Sequence, residues 1–259
     1  MVSFKSKDII FERKKRIFII MMLVAGVDGC KAGWFVVIAN GNTGKIIDFQ
    51  RVDKLAELFQ YSHNLNIIAV DVPIGLLSAA KSGGRDCDIL ARRLLGYPRS
   101  SSVFSPPVRD ALNHPKNYSG ANFANRKSSI EGIGISKQCF GIFPKIIEAD
   151  ALVNPELQNV IKEIHPEVCF WKMGGDTSPL FSKRSSRGRE ERLNLLSGVG
   201  FNGISDVFGN YRRSEVQLDD IIDAAAACWT ATRIFKGDAT RLPAIPERDT
   251  SGLFMENWV

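Results

Sequence analysis

The sequence predicts an α/β fold, a mixed sheet with helices over both faces. Three observations predict it. Apolar runs of strand length, separated by short glycine-bearing turns, open the chain. A later run, residues 66–70, is apolar after Asn66, as in a strand buried on both sides. An alanine-rich stretch, 218–235, is apolar on most faces and suits a helix laid against a sheet.

The elements follow in order. Val24-Ala25-Gly26-Val27 leads into Asp28 and Gly29, and a second apolar run begins at Trp34. That pattern is a hairpin with one carboxylate at its turn. The second strand continues to Ala39. Asn40-Gly41-Asn42-Thr43-Gly44 is a strong turn signal, and 45–50 reads as a third strand. Residues 52–61 place Val52, Leu55, Leu58 and Phe59 at helical spacing. The fourth strand, 66–70, again delivers an aspartate, Asp71, into Val72-Pro73-Ile74-Gly75. A meander followed by a crossover predicts a mixed sheet.

Beyond Pro73 the pattern loosens, and 73–160 reads as a large insertion over one end of the sheet. It holds a helix at 85–95 with Arg85, Arg92 and Arg93, an irregular loop at 97–107 with Arg99, and partly helical stretches at 122–129 and 138–153. Residues 163–170 resume strand character, with Pro166 implying an edge or a bulge. A basic loop, 182–189, carries Lys183, Arg184, Arg187 and Arg189. A helix begins within 190–196. The tail, 242–259, has prolines that forbid a long helix.

Residues 23–259 read as a single domain and 1–22 as a poorly ordered extension. Lys14, Lys15 and Arg16 before an apolar run share the form of a signal peptide. The run is too short to span a bilayer, and it leads straight into Asp28. Met21 and Met22 offer a later start.

Hydrophobic residues make up 44% and charged residues 24% of 259, which is ordinary for a soluble globular protein able to bury a core. A net charge of +6 permits a polyanionic partner without requiring one. The five cysteines are widely spaced with no Cys-x-x-Cys, which argues against a disulfide framework and a zinc cage. Reduced thiols and a cytoplasmic location are expected, with no membrane association.

Asp219, Asp220 and Asp223 sit in the first turns of the 218–235 helix, so Asp223 shares a face with either of the others. With Asp28 and Asp71 they would gather three or more carboxylates. Hard oxygen ligands in that number suit Mg²⁺ or Mn²⁺, and without a cation they would repel one another. Each residue also has a plainer role. Aspartates at a helix start act as caps or dipole partners, and an aspartate before glycine is a common turn residue. Glu167 and Glu148 are weaker candidates. His165 suits a packed or edge position, and the arginines suit a solvated surface as well as an anion site.

At this point the residues carry a resemblance. Gly26 through Trp34, Asp71-Val72-Pro73-Ile74-Gly75, Arg85-Asp86-Cys87-Asp88, Ser101-Ser102-Val103-Phe104 and Pro144-Lys145-Ile146-Ile147-Glu148 resemble domain of unknown function family 429. So do His165-Pro166-Glu167-Val168, Asp219-Asp220-Ile221-Ile222-Asp223-Ala224 and Leu242-Pro243 with Pro246-Glu247. Each motif alone is weak; all of them in order are specific. The resemblance covers nearly the whole chain from Leu23.

It implies an RNase H-like fold, a five-stranded mixed sheet with the first three strands antiparallel, and a predicted metal-dependent nuclease. It implies acidic residues on the first strand, the fourth strand and a late helix, matching Asp28, Asp71 and Asp220 or Asp223. Holliday-junction resolvases similarly carry two aspartates three apart on that helix. One departure is the shorter Asp71 where many such nucleases have glutamate. Two Mg²⁺ or Mn²⁺ ions would be expected, with Asp28 bridging them and Glu167 completing the shell or orienting water. Arg92, Arg93, Arg99, Lys183, Arg184, Arg187 and Arg189 would hold the phosphates of DNA or RNA. Two other classes remain open, a phosphotransferase or ATPase of the related actin-like core and a non-catalytic binding module.

Overall fold

A computed structural model of the chain describes residues 22–61 and 65–259. Apart from Met22, the expected N-terminal extension lies outside the described residues. Five strands form one sheet in the order β3-β2-β1-β4-β5. They are β1 (Leu23–Cys30), β2 (Gly33–Asn40), β3 (Ile46–Val52), β4 (Leu65–Val70) and β5 (Ile161–Glu163). β1, β2 and β3 are antiparallel neighbours, whereas β4 runs parallel to β1 and β5 parallel to β4. The hairpin between β1 and β2 needs only Lys31 and Ala32. Gly33 closes it at φ 134°, where a Cβ would strike the Val52 carbonyl on β3.

Side-chain alternation assigns the two faces. Ala25, Val27, Val36, Ile68 and Val70 bury against one side, and Val24, Phe35, Val37 and Ala69 against the other. The helices divide accordingly. A short α1 (Leu58–Tyr61) precedes β4, and between β4 and β5 the chain forms α2 (Asp86–Leu95), α3 (Tyr118–Lys127), α4 (Lys137–Gly141) and α5 (Phe143–Leu152). Ala121, Cys139, Phe143 and Ile146 cover the first face. After β5 come α6 (Pro166–Met173), α7 (Ser186–Gly198) and α8 (Leu218–Lys236). Their Phe170, Leu196 and Ala224 to Ala227 cover the second. The tail adds a two-stranded ribbon, β6 (Arg241–Leu242) with β7 (Asn257–Trp258).

α8 lies directly against β1. A Cβ on Gly26 would overlap the Cys228 amide nitrogen and the Ala224 carbonyl oxygen. Glycine is needed there because the helix backbone occupies the volume that any side chain would take.

Three expectations change. The helix expected over 52–61 shrinks to a 3₁₀ turn at Leu55–Glu57 and the four residues of α1, because Val52 ends β3. The strand expected over 163–170 stops at Glu163 and becomes α6. Pro166 is the helix's first residue, where its missing N–H has no intrahelical partner to lose, and His165 caps it by accepting from the Glu167 N–H at 3.2 Å. The basic loop at 182–189 ends at Ser185, which caps α7 by accepting from Gly188 N–H at 3.0 Å. Arg187 and Arg189 therefore lie on a helix.

Candidate active site

Strand register builds the centre of the site. Val27 pairs with Val70 across the parallel β1/β4 ladder, so Asp28 and Asp71 are the next residues in step. The ladder continues through Asp71 N–H, which donates to the Val27 carbonyl at 3.0 Å. Both follow residues of the first face, so both side chains point to the α8 face. The N-terminal turns of α8 then deliver Asp220 and Asp223 to the same end of the sheet. This is the carboxyl end of β1, β4 and β5, where open α/β sheets characteristically bind ligands.

A cleft of about 500 Å³ opens here. Asp28, Asp71, Asp220 and Glu167 line it, as do Arg99, Lys145, Lys183, Arg184 and His165. Asp223 is buried beneath it, and Lys183 Nζ in the wall donates to Asp223 Oδ2 at 2.6 Å. Asp223 Oδ1 is buried without a hydrogen-bond partner. Asp220 Oδ2 accepts from the Gln217 N–H at 2.7 Å and so completes the N-terminal cap of α8.

The four aspartates crowd one another. Burial, then the charges of Asp71, Asp223 and Asp220, push the Asp28 carboxyl well above its ordinary range. Burial raises Asp71 as well, against the pull of Lys183 and of a side-chain hydrogen bond with Asp28. Asp223 is raised by burial in spite of Lys183, and burial lifts Asp220 to about 6. The same carboxylates raise Lys183.

The other expected site residues are distributed as follows. Glu167 lies on the cleft, yet both its oxygens accept from Arg192 Nη2, at 2.6 and 2.8 Å, in a pair with Arg192 fully buried. Of the seven expected phosphate-binding cations, Arg99, Lys183 and Arg184 line the cleft, and Arg92, Arg93, Arg187 and Arg189 do not. Arg92 donates to the carbonyls of Val103 and Gly83. Arg93 is exposed on α2. Arg187 stacks 3.8 Å from the Phe181 ring centre, and Arg189 donates to the Arg184 carbonyl at 2.9 Å. Arg99 donates to the Pro179 and Leu180 carbonyls, at 2.8 and 2.6 Å. Glu148 serves the first face of the sheet, accepting from Trp34 Nε1 at 3.1 Å and from Leu55 N–H at 2.5 Å. His165 Nδ1 accepts, so its Nε2 carries the proton facing the Ser102 carbonyl 3.3 Å away.

Lys145, Glu163, Asp88 and Arg85, all in the cleft wall, were not singled out as site residues in the sequence. Lys145 donates to the Gly33 carbonyl and sits 4.4 Å from the Trp34 ring centre. Glu163 and Asp88 share the buried Arg85 guanidinium, with contacts of 2.5 to 3.1 Å. Arg85 also donates to the carbonyls of Ile74 and Gly75, and Glu163 accepts from Ile74 N–H at 2.5 Å. Together they hold the loop that follows Asp71. Burial pushes Glu163 up to about 7 against the pull of Arg85. The only available signal was Arg85-Asp86-Cys87-Asp88 itself, which names no distant partner.

Cys87, Asp88 and Glu163 are, among the described residues, the one group of three whose ligand atoms lie within 4.8 Å of one another. Arg85 already neutralises its carboxylates. The aspartate set is more open, and its oxygens are hard donors with one orphaned in the interior. That chemistry fits Mg²⁺ or Mn²⁺.

The family model described as Protein of unknown function (DUF429) matches residues 26–248. The chain belongs to this family. No curated protein and no solved structure matches it. The match takes in β1 from Gly26 onward, β4 with Asp71 after it, the residues between β4 and β5, and α8, so this DUF429 chain carries its whole carboxylate cluster inside the family region. Among the described residues no helix is long and apolar enough to cross a membrane.

Proposed function

We propose that the chain is a divalent-metal-dependent nuclease on an RNase H-like core. One observation carries the reading: two aspartates that each follow the last registered pair of β1 and β4, joined from α8 by Asp220 and Asp223, at the floor of a cleft walled by cations. The strand order β3-β2-β1-β4-β5, with its first three strands antiparallel, supports the fold assignment. Asp28, Asp71 and Asp223 would hold Mg²⁺ or Mn²⁺, with Asp220 beside them. Such an ion supplies an activated water and neutralises charge on the leaving oxygen. Arg99, Lys145 and Arg184 supply positive charge along the path a phosphate backbone would take. The partner is DNA or RNA. Five buried free thiols suit a reducing compartment such as the cytoplasm.

The test is cleavage of labelled single-stranded and duplex DNA and RNA in Mg²⁺ or Mn²⁺. The wild-type chain should cut at least one of them. Asp28→Asn and Asp71→Asn should each slow cutting by at least a hundredfold, about 2.7 kcal/mol of barrier, with an unchanged circular dichroism spectrum. Variants that cut at the wild-type rate would remove these carboxylates from the reaction.

The ion pair between Lys183 and Asp223 favours a second reading, a non-catalytic nucleic-acid-binding module in which lysine stands in for a metal. It would bind the same substrates in chelator and cut none.

A further inference from the structure

We infer that Lys183 is a built-in counter-cation of the aspartate cluster that competes with a divalent ion for the same place. The inference rests on the metal-site reading above and goes beyond it in giving the cluster a resident competitor.

The comparison that supports it is among the buried ion pairs of this one molecule. Glu167 gives both oxygens to Arg192, and Glu163 gives both to Arg85. Both oxygens of each carboxylate are therefore engaged, those of Glu163 by the two terminal nitrogens of Arg85 as a planar fork and those of Glu167 by Arg192 Nη2 alone. Asp223 is different. Its partner is a lysine, a point charge on a flexible stem, and only Oδ2 is engaged. Oδ1 stays buried and unpartnered. A carboxylate that is only half satisfied at the foot of a cleft retains a ligand position. The positive charge that Lys183 brings is felt also by Asp28 and Asp71, so it serves the cluster rather than one residue.

The scaffold permits the side chain to move while the backbone stays. Leu180 and Phe181 N–H groups donate to Glu191 at 2.8 and 2.9 Å, and Arg192 donates to the Phe181 carbonyl at 3.0 Å. Ser185 N–H donates to the Ser182 carbonyl at 2.9 Å. The segment is thus tied to α7 on both sides of Lys183. The Lys183 side chain itself is 38% exposed, against 2% for that of Asp223, so the ammonium has a solvated route out of the cluster. A divalent ion arriving among Asp28, Asp71 and Asp223 would repel it along that route.

The experiment is calorimetric titration of Mn²⁺ into the full chain, without nucleic acid, for wild type, Lys183→Met, Lys183→Arg and Arg184→Met. Lys183→Met should bind Mn²⁺ at least tenfold more tightly than wild type, about 1.4 kcal/mol. Lys183→Arg, which keeps the charge, should stay near wild type. Arg184→Met removes the same charge from the cleft wall without the contact to Asp223, and should change affinity much less than Lys183→Met. In chelator, the melting temperature of Lys183→Met should fall below wild type and recover with Mn²⁺; Lys183→Gln serves if the methionine variant does not fold. Equal or weaker binding by Lys183→Met beside a wild type that binds Mn²⁺ overturns the competition and leaves the nuclease reading standing. No binding by any of the four proteins overturns the competition, and the cleavage assay alone then decides the nuclease reading.

Discussion

Burial sets the chemistry of the site residue by residue, and it gives a pH dependence of definite sign. Asp220 titrates at about 6, above the ordinary range of an unfolded aspartate. Such a group lowers stability only when ionised, so its cost is absent below about pH 4 and complete above about pH 6. In chelator, Asp220→Asn should therefore match wild type near pH 4 and exceed it near pH 7. The gap should be about 1–2 kcal/mol after allowance for partial exposure, or about 2–4 °C in melting temperature per kcal/mol. A gap that stays constant across that range would remove Asp220 from the strained set. The pair of Glu167 with Arg192 makes a second prediction. Arg192→Met leaves a buried carboxylate without its partner and should cost about 3–5 kcal/mol in urea unfolding. An Arg192→Met midpoint within error of wild type would show that Glu167 is solvated enough to stand alone. None of the three buried ion pairs of the site was visible in the sequence. Glu167 and Arg192 are 25 residues apart, Lys183 and Asp223 40, and Arg85 and Glu163 78. Pairs at such separations follow no local period.

Elements that announce themselves by local pattern were legible. The β1/β2 hairpin, β4 and α8 follow from alternation, turn residues and alanine content, and Asp28, Asp71, Asp220 and Asp223 follow from where those elements end. α6 was not legible, because a proline after an apolar run reads equally as a strand bulge or as a first helical residue. Only the His165 cap, formed in three dimensions, decides between them. The contact of α8 with β1 is the element on which the site depends, and Gly26 is its weak point. Gly26→Ala should force the helix away from the strand and destabilise the chain by about 1–3 kcal/mol, as overpacking does. It should also weaken any Mn²⁺ binding, since Asp220 and Asp223 ride on that helix. An alanine variant with full stability and full affinity would mean the helix can shift without moving the site.

At the scale of the whole molecule, two acidic clusters reach one cleft from opposite faces of the sheet. Glu163 follows the register of Val70 and points to the first face, where Arg85 and Asp88 meet it. The aspartates point to the other face, under α8, with a lysine and an unfilled oxygen. The first cluster is closed by arginine and holds the loop after β4; the second is met by a lysine and keeps one buried oxygen unpartnered. The central claim is that a divalent ion belongs to the second. The measurement that tests it most directly is anomalous scattering from crystals of the chain soaked in Mn²⁺. The account predicts a peak among the carboxylates of Asp28, Asp71 and Asp223. A peak at Cys87, Asp88 and Glu163 instead, or Mn²⁺ bound elsewhere with the aspartates bare, would contradict it.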